Sequence, residues 1–367
     1  MKFVCDKAVI LKEISIAQEI ISSRNALSIL SNVMISAENN TLLIKATDLK
    51  VGFETRIPVT VERPGNTTVF CDKFLGILRS LPEGDVELEQ NDNRLIIRPT
   101  SGRIDFQLKS IAADKFPEIK DVSNERYFPF PQRQLNEMIA QTIFAVSDDE
   151  TRYFMNGVYV EQREGILAMV ATDGRRLSYI GRRIETAAES FDGVIVPPKI
   201  LQLIRKLSSG EGDLSLAVSD KNIYVRLDSQ KISSTLIEGQ FPNYRRVIPE
   251  KQSYELIVRR DELSEALKRV SLLVEQKSRR VHLEVAPGKL TVKSEESEIG
   301  VAQEELSCVY EGPETAIALN YLYLAEPLRV MEDESISIRF TESTKAISLY
   351  PVPEKDFFHI IMPMQLE

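Results

Sequence analysis

Residues 158–173 read VYVEQREGILAMVATD, and two features of that stretch decide the fold. Apolar side chains recur along two arms separated by Glu164-Gly165, a pair suited to a tight hairpin turn, so the stretch predicts two antiparallel strands. Its last three residues, Ala171-Thr172-Asp173, repeat Ala46-Thr47-Asp48, and Phe241-Pro242 repeats Phe116-Pro117, each displaced by 125 positions. A weaker third echo, FHIIMPM from Phe358 to Met364, stands where another Phe-Pro segment falls. A period this long marks whole domains, because solenoid units repeat every 20–50 residues or so (roughly). The 367 residues therefore divide into domains 1–122, 123–250 and 251–367.

Working outward, each third carries the same series of elements. Amphipathic stretches of helical period cover residues 6–22, 131–147 and 259–277. Hairpins follow at 33–48, 158–173 and 282–294, turning at Asn39-Asn40, Glu164-Gly165 and Pro287-Gly288. A second, shorter helix is expected at 71–81, 197–208 and 320–331, each followed by another hairpin. Pro327 lies inside the last of these and is expected to kink it or delay its start. The fold class is α+β: each domain is a doubled strand–helix–hairpin unit, two helices backed by about eight strands.

Composition narrows the function. With 43% hydrophobic and 28% charged residues, the chain has apolar mass for a core in each third. No run approaches the roughly 18–20 apolar residues of a membrane helix. Lys7, Lys12 and Glu13 interrupt any signal-peptide core, so a cytoplasmic protein is expected. Cys5, Cys71 and Cys308 have no metal-type spacing and read as reduced core residues. The two histidines, His282 and His359, lie in unrelated strands. No phosphate loop or nucleophile elbow occurs, so no cofactor is expected. Asp148-Asp149-Glu150 leaves open a metal-dependent nuclease, although such runs are usually solvated turns.

The net charge of −9 argues against a nucleic-acid partner until it is divided by element. The six helical segments carry +4, leaving −13 for everything else. A domain of this size is roughly 35 Å across, so six domains in a ring enclose a hole of about 30 Å. Duplex DNA, roughly 20 Å wide, passes through it. Two three-domain chains would then encircle DNA with their basic helices inward, holding phosphates without reading sequence.

The motifs that complete this picture are Met1-Lys2-Phe3, Leu81-Pro82-Glu83-Gly84 and Arg152-Tyr153-Phe154-Met155-Asn156-Gly157. Ala171-Thr172-Asp173-Gly174, Phe241-Pro242-Asn243-Tyr244-Arg245-Arg246-Val247 and Met362-Pro363-Met364 extend them. In these the chain resembles the bacterial DNA polymerase III sliding-clamp (β-subunit) family over its whole length. The resemblance implies a head-to-tail homodimeric ring, set on DNA by a clamp loader, that tethers the polymerase α subunit. Other polymerases and repair proteins would dock through short apolar motifs, near the nucleoid.

By the same resemblance, a partner-peptide groove lies between the second and third domains. Met155, Thr172, Gly174, Arg175, Arg176 and Leu177 would come from one side. Pro242, Arg246, Val247, Asn320, Tyr323 and Ala346 would extend it, and Ile360, Met362, Pro363, Met364 and Leu366 would close it. Met and Leu suit an adaptable apolar cavity, with Arg176, Arg246 and Asn320 as polar groups at its rim. Arg175 replaces the family's usual imidazole, and Gln365 its usual arginine. Read without the resemblance, Met362-Pro363-Met364 is a buried edge strand. DNA contacts are implied for Arg24, Lys73, Tyr153 and Phe154. Asp72 and Asp149 place carboxylates where a basic residue and an amide are usual, and Lys199, Arg205 and Lys206 read as compensating charge. The ring interface would set Phe106 and Leu108 against Leu272 and Leu273, with Arg98 and Arg103 facing Glu298, Glu304 and Glu305.

Overall fold

The computed structural model describes residues 1–21, 29–119, 126–184, 191–298 and 300–365. Among these residues it has six α-helices and twenty-five strands. The helices are α1 (Lys7–Ile20), α2 (Cys71–Ser80), α3 (Gln132–Thr142), α4 (Pro198–Leu207), α5 (Arg260–Val270) and α6 (Tyr321–Val330). They pack in consecutive pairs, α1 on α2, α3 on α4 and α5 on α6, as the doubled unit predicts.

Several helix ends differ from the sequence expectation. Asp6 stands outside α1 as its cap, its carboxylate accepting from the Val9 amide at 3.0 Å. α3 stops at Thr142, whose hydroxyl bonds back to the Met138 carbonyl at 2.8 Å, and a 3₁₀ turn Ile143–Ala145 follows. α5 stops at Val270 and continues only as the 3₁₀ turn Ser271–Leu273. Pro327 does not delay α6, which begins at Tyr321 with Asn320 as cap and runs through the proline to Val330.

The chain forms two compact units, Met1–Pro131 with Glu211–Leu236, and Gln132–Gly210 with Ile237–Glu367. These units cross the expected boundaries of the repeats, because backbone pairing runs on from one repeat into the next. In the first unit, strand Val51–Pro58 of the first repeat pairs with Gln230–Thr235 of the second, within a thirteen-stranded antiparallel sheet. In the second unit, Arg176–Arg183 pairs with the late strand Phe357–Ile361, within an eight-stranded sheet, and a further sheet has four strands.

Local chemistry explains the motifs. The hairpin turns have Asn39 and Asn40 at φ 52° and 55°, and Glu164 and Gly165 at 55° and 74°, the left-handed pairs that two-residue hairpins require. In the Leu81-Pro82-Glu83-Gly84 run, the buried Lys7 ammonium donates to the Leu81 carbonyl at 2.7 Å and to Glu83 at 2.9 Å. Gly157 has no room for a side chain: a Cβ there would lie 2.7 Å from the Val196 carbonyl. All three cysteines are free, and burial pushes the Cys5 and Cys71 thiols up to about 12.

Candidate functional site

The site grows from the turn that ends the hairpin at 158–173. The Thr172 hydroxyl donates to the Arg176 carbonyl at 2.6 Å and accepts from the Gly174 amide at 3.1 Å. One Asp173 oxygen accepts from the amides of Arg175 and Arg176 at 2.8 and 3.0 Å. Thr-Asp supplies these acceptors, and Gly174 takes the left-handed φ of 86° that the turn needs. The Thr172-Asp173-Gly174 step is thus a turn, as its sequence suggests.

The turn projects Arg176 into the protein. Its guanidinium meets Asp173 at 3.1 Å, the Phe144 carbonyl at 2.6 Å and the Glu326 carboxylate of α6. It also lies 4.6 Å from the centre of the Tyr323 ring. Only 11% of the side chain is exposed, so Arg176 is a fastener between α6 and the turn rather than a free rim donor. The carboxylates offset the cost of keeping the cation this deep.

Beside Arg176, the strand Phe357–Ile361 runs antiparallel to Arg176–Arg183, with Leu177 opposite Ile360. This strand also pairs with Ile347–Val352 and is interior. Met362-Pro363-Met364 after it belongs to no strand and makes only an isolated bridge from Met364 to Ala318, which corrects the buried edge-strand reading of the tail. Beyond it the Met362 amide donates to the Arg175 carbonyl, and the Met364 amide to the Ala318 carbonyl, both at 2.8 Å. Leu177, Ile360, Val170, Ile195, Phe241 and Tyr244 form one buried apolar cluster, with Ala346 packed against it. Met155 and Thr172 are also buried, whereas Val247 and Met362 are 52% and 45% exposed. Pro242 and Arg246 are exposed.

A cleft of about 610 Å³ opens here, lined by Arg175, Asn320, Tyr323, Met362, Pro363, Met364 and Gln365. The rest of its wall is Gln276, Lys277, Ser278, Arg279 and Arg280, a segment that sequence reasoning missed. The signal available was its three cations in four residues. Asn320 spends its side-chain oxygen on the Leu322 amide at 3.0 Å. Leu366 lies outside the described residues.

Two polar networks hold the elements around Arg176 and the apolar cluster. Burial pushes the His359 pKa down to about 3, with the Arg176 charge adding to the effect. The ring is neutral: Nε2 donates to the Gln141 side-chain carbonyl at 3.2 Å, so Nδ1 accepts from the Ser178 hydroxyl at 2.9 Å. Gln141 in turn donates to the Val330 carbonyl of α6 at 2.9 Å. The Phe241–Val247 motif is held by stacking of Phe241 on Tyr159 (4.8 Å) and by the Tyr244 hydroxyl, which donates to Glu161 at 2.6 Å. Burial, then that hydrogen bond, raises the Tyr244 pKa.

The other expected residues are placed as follows. Arg24 lies outside the described residues. Lys73 is exposed and 3.5 Å from Asp72, which sits in the first turn of α2, where a carboxylate favours the helix dipole. α4 buries Ile200, Leu201, Leu203 and Ile204 and turns Lys199, Arg205 and Lys206 outward. Tyr153 is 53% exposed and meets Phe154 edge-on at 5.8 Å. Asp149 accepts from the Thr151 hydroxyl, from Arg152 and from the Thr151 amide, which holds its pKa down to about 2. Its carboxylate is committed to this turn, and among the described residues no group of three acidic, histidine or cysteine side chains converges as metal ligands.

For the ring interface, Phe106 and Leu108 are half-buried on strand Phe106–Ile111, whose outer edge pairs with Val69 and Thr68 only through Ser110 and Ile111. In the second unit Leu272 is 81% exposed, Leu273 is half-buried, and strand Gln303–Ser307 ends its sheet. Arg103 and Glu298 are exposed. Arg98 already pairs with Asp105 at 2.9 Å, Glu304 with Arg269 at 2.6 Å and Glu305 with Lys289 at 3.1 Å.

Comparison with known proteins covers the whole chain. Residues 1–120, 129–243 and 245–365 match the N-terminal, central and C-terminal domains of the DNA polymerase III beta subunit. The beta sliding clamp of Treponema pallidum is 47% identical over 371 residues, covering both chains fully. A Pseudomonas aeruginosa sliding clamp solved with griselimycin superposes with a TM-score of 0.94 at 29% identity, again over both whole chains. The C. crescentus beta sliding clamp, solved with polyethylene glycol bound at a proposed beta-motif tethering region, gives 0.93 at 31% with the same full coverage.

Proposed function

Since the chain belongs to the DNA polymerase III beta-subunit family of sliding clamps, we propose that two copies close head to tail around duplex DNA and tether the replicative polymerase. The observation that carries the ring is the pair of open strand edges. Strand Phe106–Ile111 leaves most of one edge unpaired, and Gln303–Ser307 leaves one entire edge unpaired in the same third of the chain that exposes Leu272. Exposed edges of this kind invite pairing with another chain. The first domain of one copy against the third of the other would continue both sheets. Closure is chiefly apolar, because Arg98, Glu304 and Glu305 would have to leave partners in their own chain for ion pairs worth about 0–1 kcal/mol each.

The domains run 1–122, 123–250 and 251–367. The outward face of α4, with Lys199, Arg205 and Lys206, together with Arg24, Lys73, Tyr153 and Phe154, meets the DNA backbone without reading bases. The cleft at Met362-Pro363-Met364 receives an apolar peptide anchor from the polymerase α subunit, the clamp loader or repair proteins. The protein acts as a tether rather than a catalyst, in the cytoplasm at the nucleoid. The nuclease alternative finds no support, with Asp149 committed to its turn.

The test is topological. The solution mass should be twice the 41.6 kDa of one chain, and loaded protein should stay on circular DNA and run off once the circle is cut. A monomer, or equal retention on linear DNA, overturns the ring. A plain scaffold would show no such dependence on DNA ends.

A further inference from the structure

The wall of the cleft is unusual in charge. Of its twelve lining residues four are cationic, Arg175, Lys277, Arg279 and Arg280, and none is acidic. Arg280 has a partner, Glu295 at 2.7 Å. Arg175, Lys277 and Arg279 are exposed and form no ion pair among the described residues. In a chain of net charge −9, in which Arg, Lys, Asp and Glu pair widely, three uncompensated cations around one opening walled in part by Met362, Pro363 and Met364 are a local excess.

The cations are also held in place. Arg279 sits at φ 53°, a left-handed conformation that disfavours an arginine. The turn persists because its amide donates to the Glu275 carbonyl at 2.8 Å and its carbonyl accepts from the Tyr321 amide at 2.9 Å, next to the cap of α6. The Arg175 carbonyl is likewise fixed by the Met362 amide. Two of the three charges therefore rise from backbone held by hydrogen bonds, which fixes where each side chain leaves the wall.

Resting on the peptide-groove reading above, we propose that this cleft selects peptides that carry carboxylates beside their apolar anchor. The apolar side chains fill the Met362, Pro363 and Met364 wall, while aspartate or glutamate next to them meets Arg175, Lys277 and Arg279. Guanidinium groups suit carboxylates through paired hydrogen bonds. The charge sets partner preference and encounter rate, and the apolar anchor supplies most of the affinity.

Two labelled synthetic peptides with the same leucine–phenylalanine anchor and glutamine handle test this against the full-length protein by fluorescence anisotropy. One is flanked by aspartates, the other by serines. At low salt the acidic peptide should bind roughly three- to tenfold more tightly, as two or three exposed ion pairs allow. The gap should close as added salt shortens the screening length to about 3 Å at 1 M. Lys277→Gln with Arg279→Asn should remove most of the gap, Arg175 keeping the rest, by weakening the acidic peptide more than the serine one; asparagine tolerates the left-handed turn. Lys277→Gln alone, away from that turn, should erase part of it. Equal affinity of the two peptides for the unaltered protein overturns the charge preference and leaves the groove standing. Binding of neither peptide overturns the groove and this inference together.

Discussion

Thr47-Asp48 and Thr172-Asp173 occupy the same place in successive repeats and close their turns with the same bonds. The Thr47 hydroxyl donates to the Val51 carbonyl at 2.9 Å, and Asp48 accepts from the Lys50 and Val51 amides at 3.0 and 2.7 Å. At 172–176 each of these bonds recurs. The residues carried by the turn differ. Where the first has Val51, buried and apolar, the second has Arg176, reaching Glu326 and the Phe144 carbonyl. Where the second has Gly174, the first has Leu49, at φ 76° and 66% exposed. One backbone device thus serves two ends. In the first repeat it only reverses the chain, and in the second it presents an arginine that fastens α6 beside a cleft. The shared geometry belongs to folding, and what differs between the two turns is the side chain each one carries.

The largest test of that distinction is the tail. The second turn is extended by Met362-Pro363-Met364, the Met362 amide donating to the Arg175 carbonyl and the Met364 amide to the Ala318 carbonyl. At the first turn the Thr235 amide makes the matching bond to the Lys50 carbonyl at 2.9 Å, but Leu236 and Ile237 follow it instead of Pro363 and Met364. Deleting residues 364–367 should reduce binding of an anchor peptide at least about a hundredfold, roughly 2.7 kcal/mol. The dimer should survive in sedimentation, because strand Phe357–Ile361 remains. Undiminished peptide binding would mean that the cleft is not where partners dock.

Next in size is Arg176→Ala. It leaves Asp173 and Glu326 without their shared cation and should cost about 2–4 kcal/mol, the usual price of breaking a largely buried pair. Denaturant unfolding checks it. Val51→Ala at the matching position removes only two methyl groups and should cost less. If the two substitutions cost the same, the guanidinium network adds nothing beyond packing.

The units should also part in their response to acid. His359 is held neutral, its pKa pushed down from 6.5 to about 3. Between those values the unfolded chain binds a proton that the folded chain refuses. The stability is therefore complete above pH 6.5 and lost as pH falls toward 3, by about 2 kcal/mol at pH 5. Met1–Pro131 with Glu211–Leu236 contains no histidine, so its stability should be nearly flat from pH 6.5 to 5. Thermal unfolding across that range should slope in the intact protein and flatten in His359→Gln. An unchanged slope would mean that the imidazole is not the titrating group.

How much of this was legible follows the same division. The hairpins, the paired helices and the Thr-Asp turn were readable because each is dictated within a few residues, by left-handed turn pairs, 3.6-residue periodicity and side chains that cap their own backbone. The helix ends at Thr142 and Val270 were not, since apolar periodicity runs on past them into 3₁₀ turns. Pro327 does not delay the start of α6, which runs from Tyr321 through the proline to Val330. At the site, the residue types of the groove followed from resemblance. What Arg176 and Asp149 do with their charges depends on partners distant in sequence or on one rotamer. Gln141, Ser178 and His359 meet from three separate strands and helices, and no spacing announces it.

The smallest expected effect is the sharpest on the turn itself. Leu49 holds a left-handed φ of 76° with most of its surface in water, so its side chain adds strain and little burial. Leu49→Gly relieves about 1 kcal/mol of strain and returns part of it as added freedom in the unfolded chain, for a net gain near 0.5 kcal/mol. Gly174→Ala makes the opposite exchange, placing a Cβ at φ 86° and 2.9 Å from the Arg152 guanidinium. That neighbour is the end of a flexible side chain and can shift, so the loss should be about 1 kcal/mol, mostly from backbone strain. The two changes have opposite signs only if the turns share one backbone geometry. Denaturation midpoints moving in the same direction would show that the repeat in sequence is not a repeat in conformation.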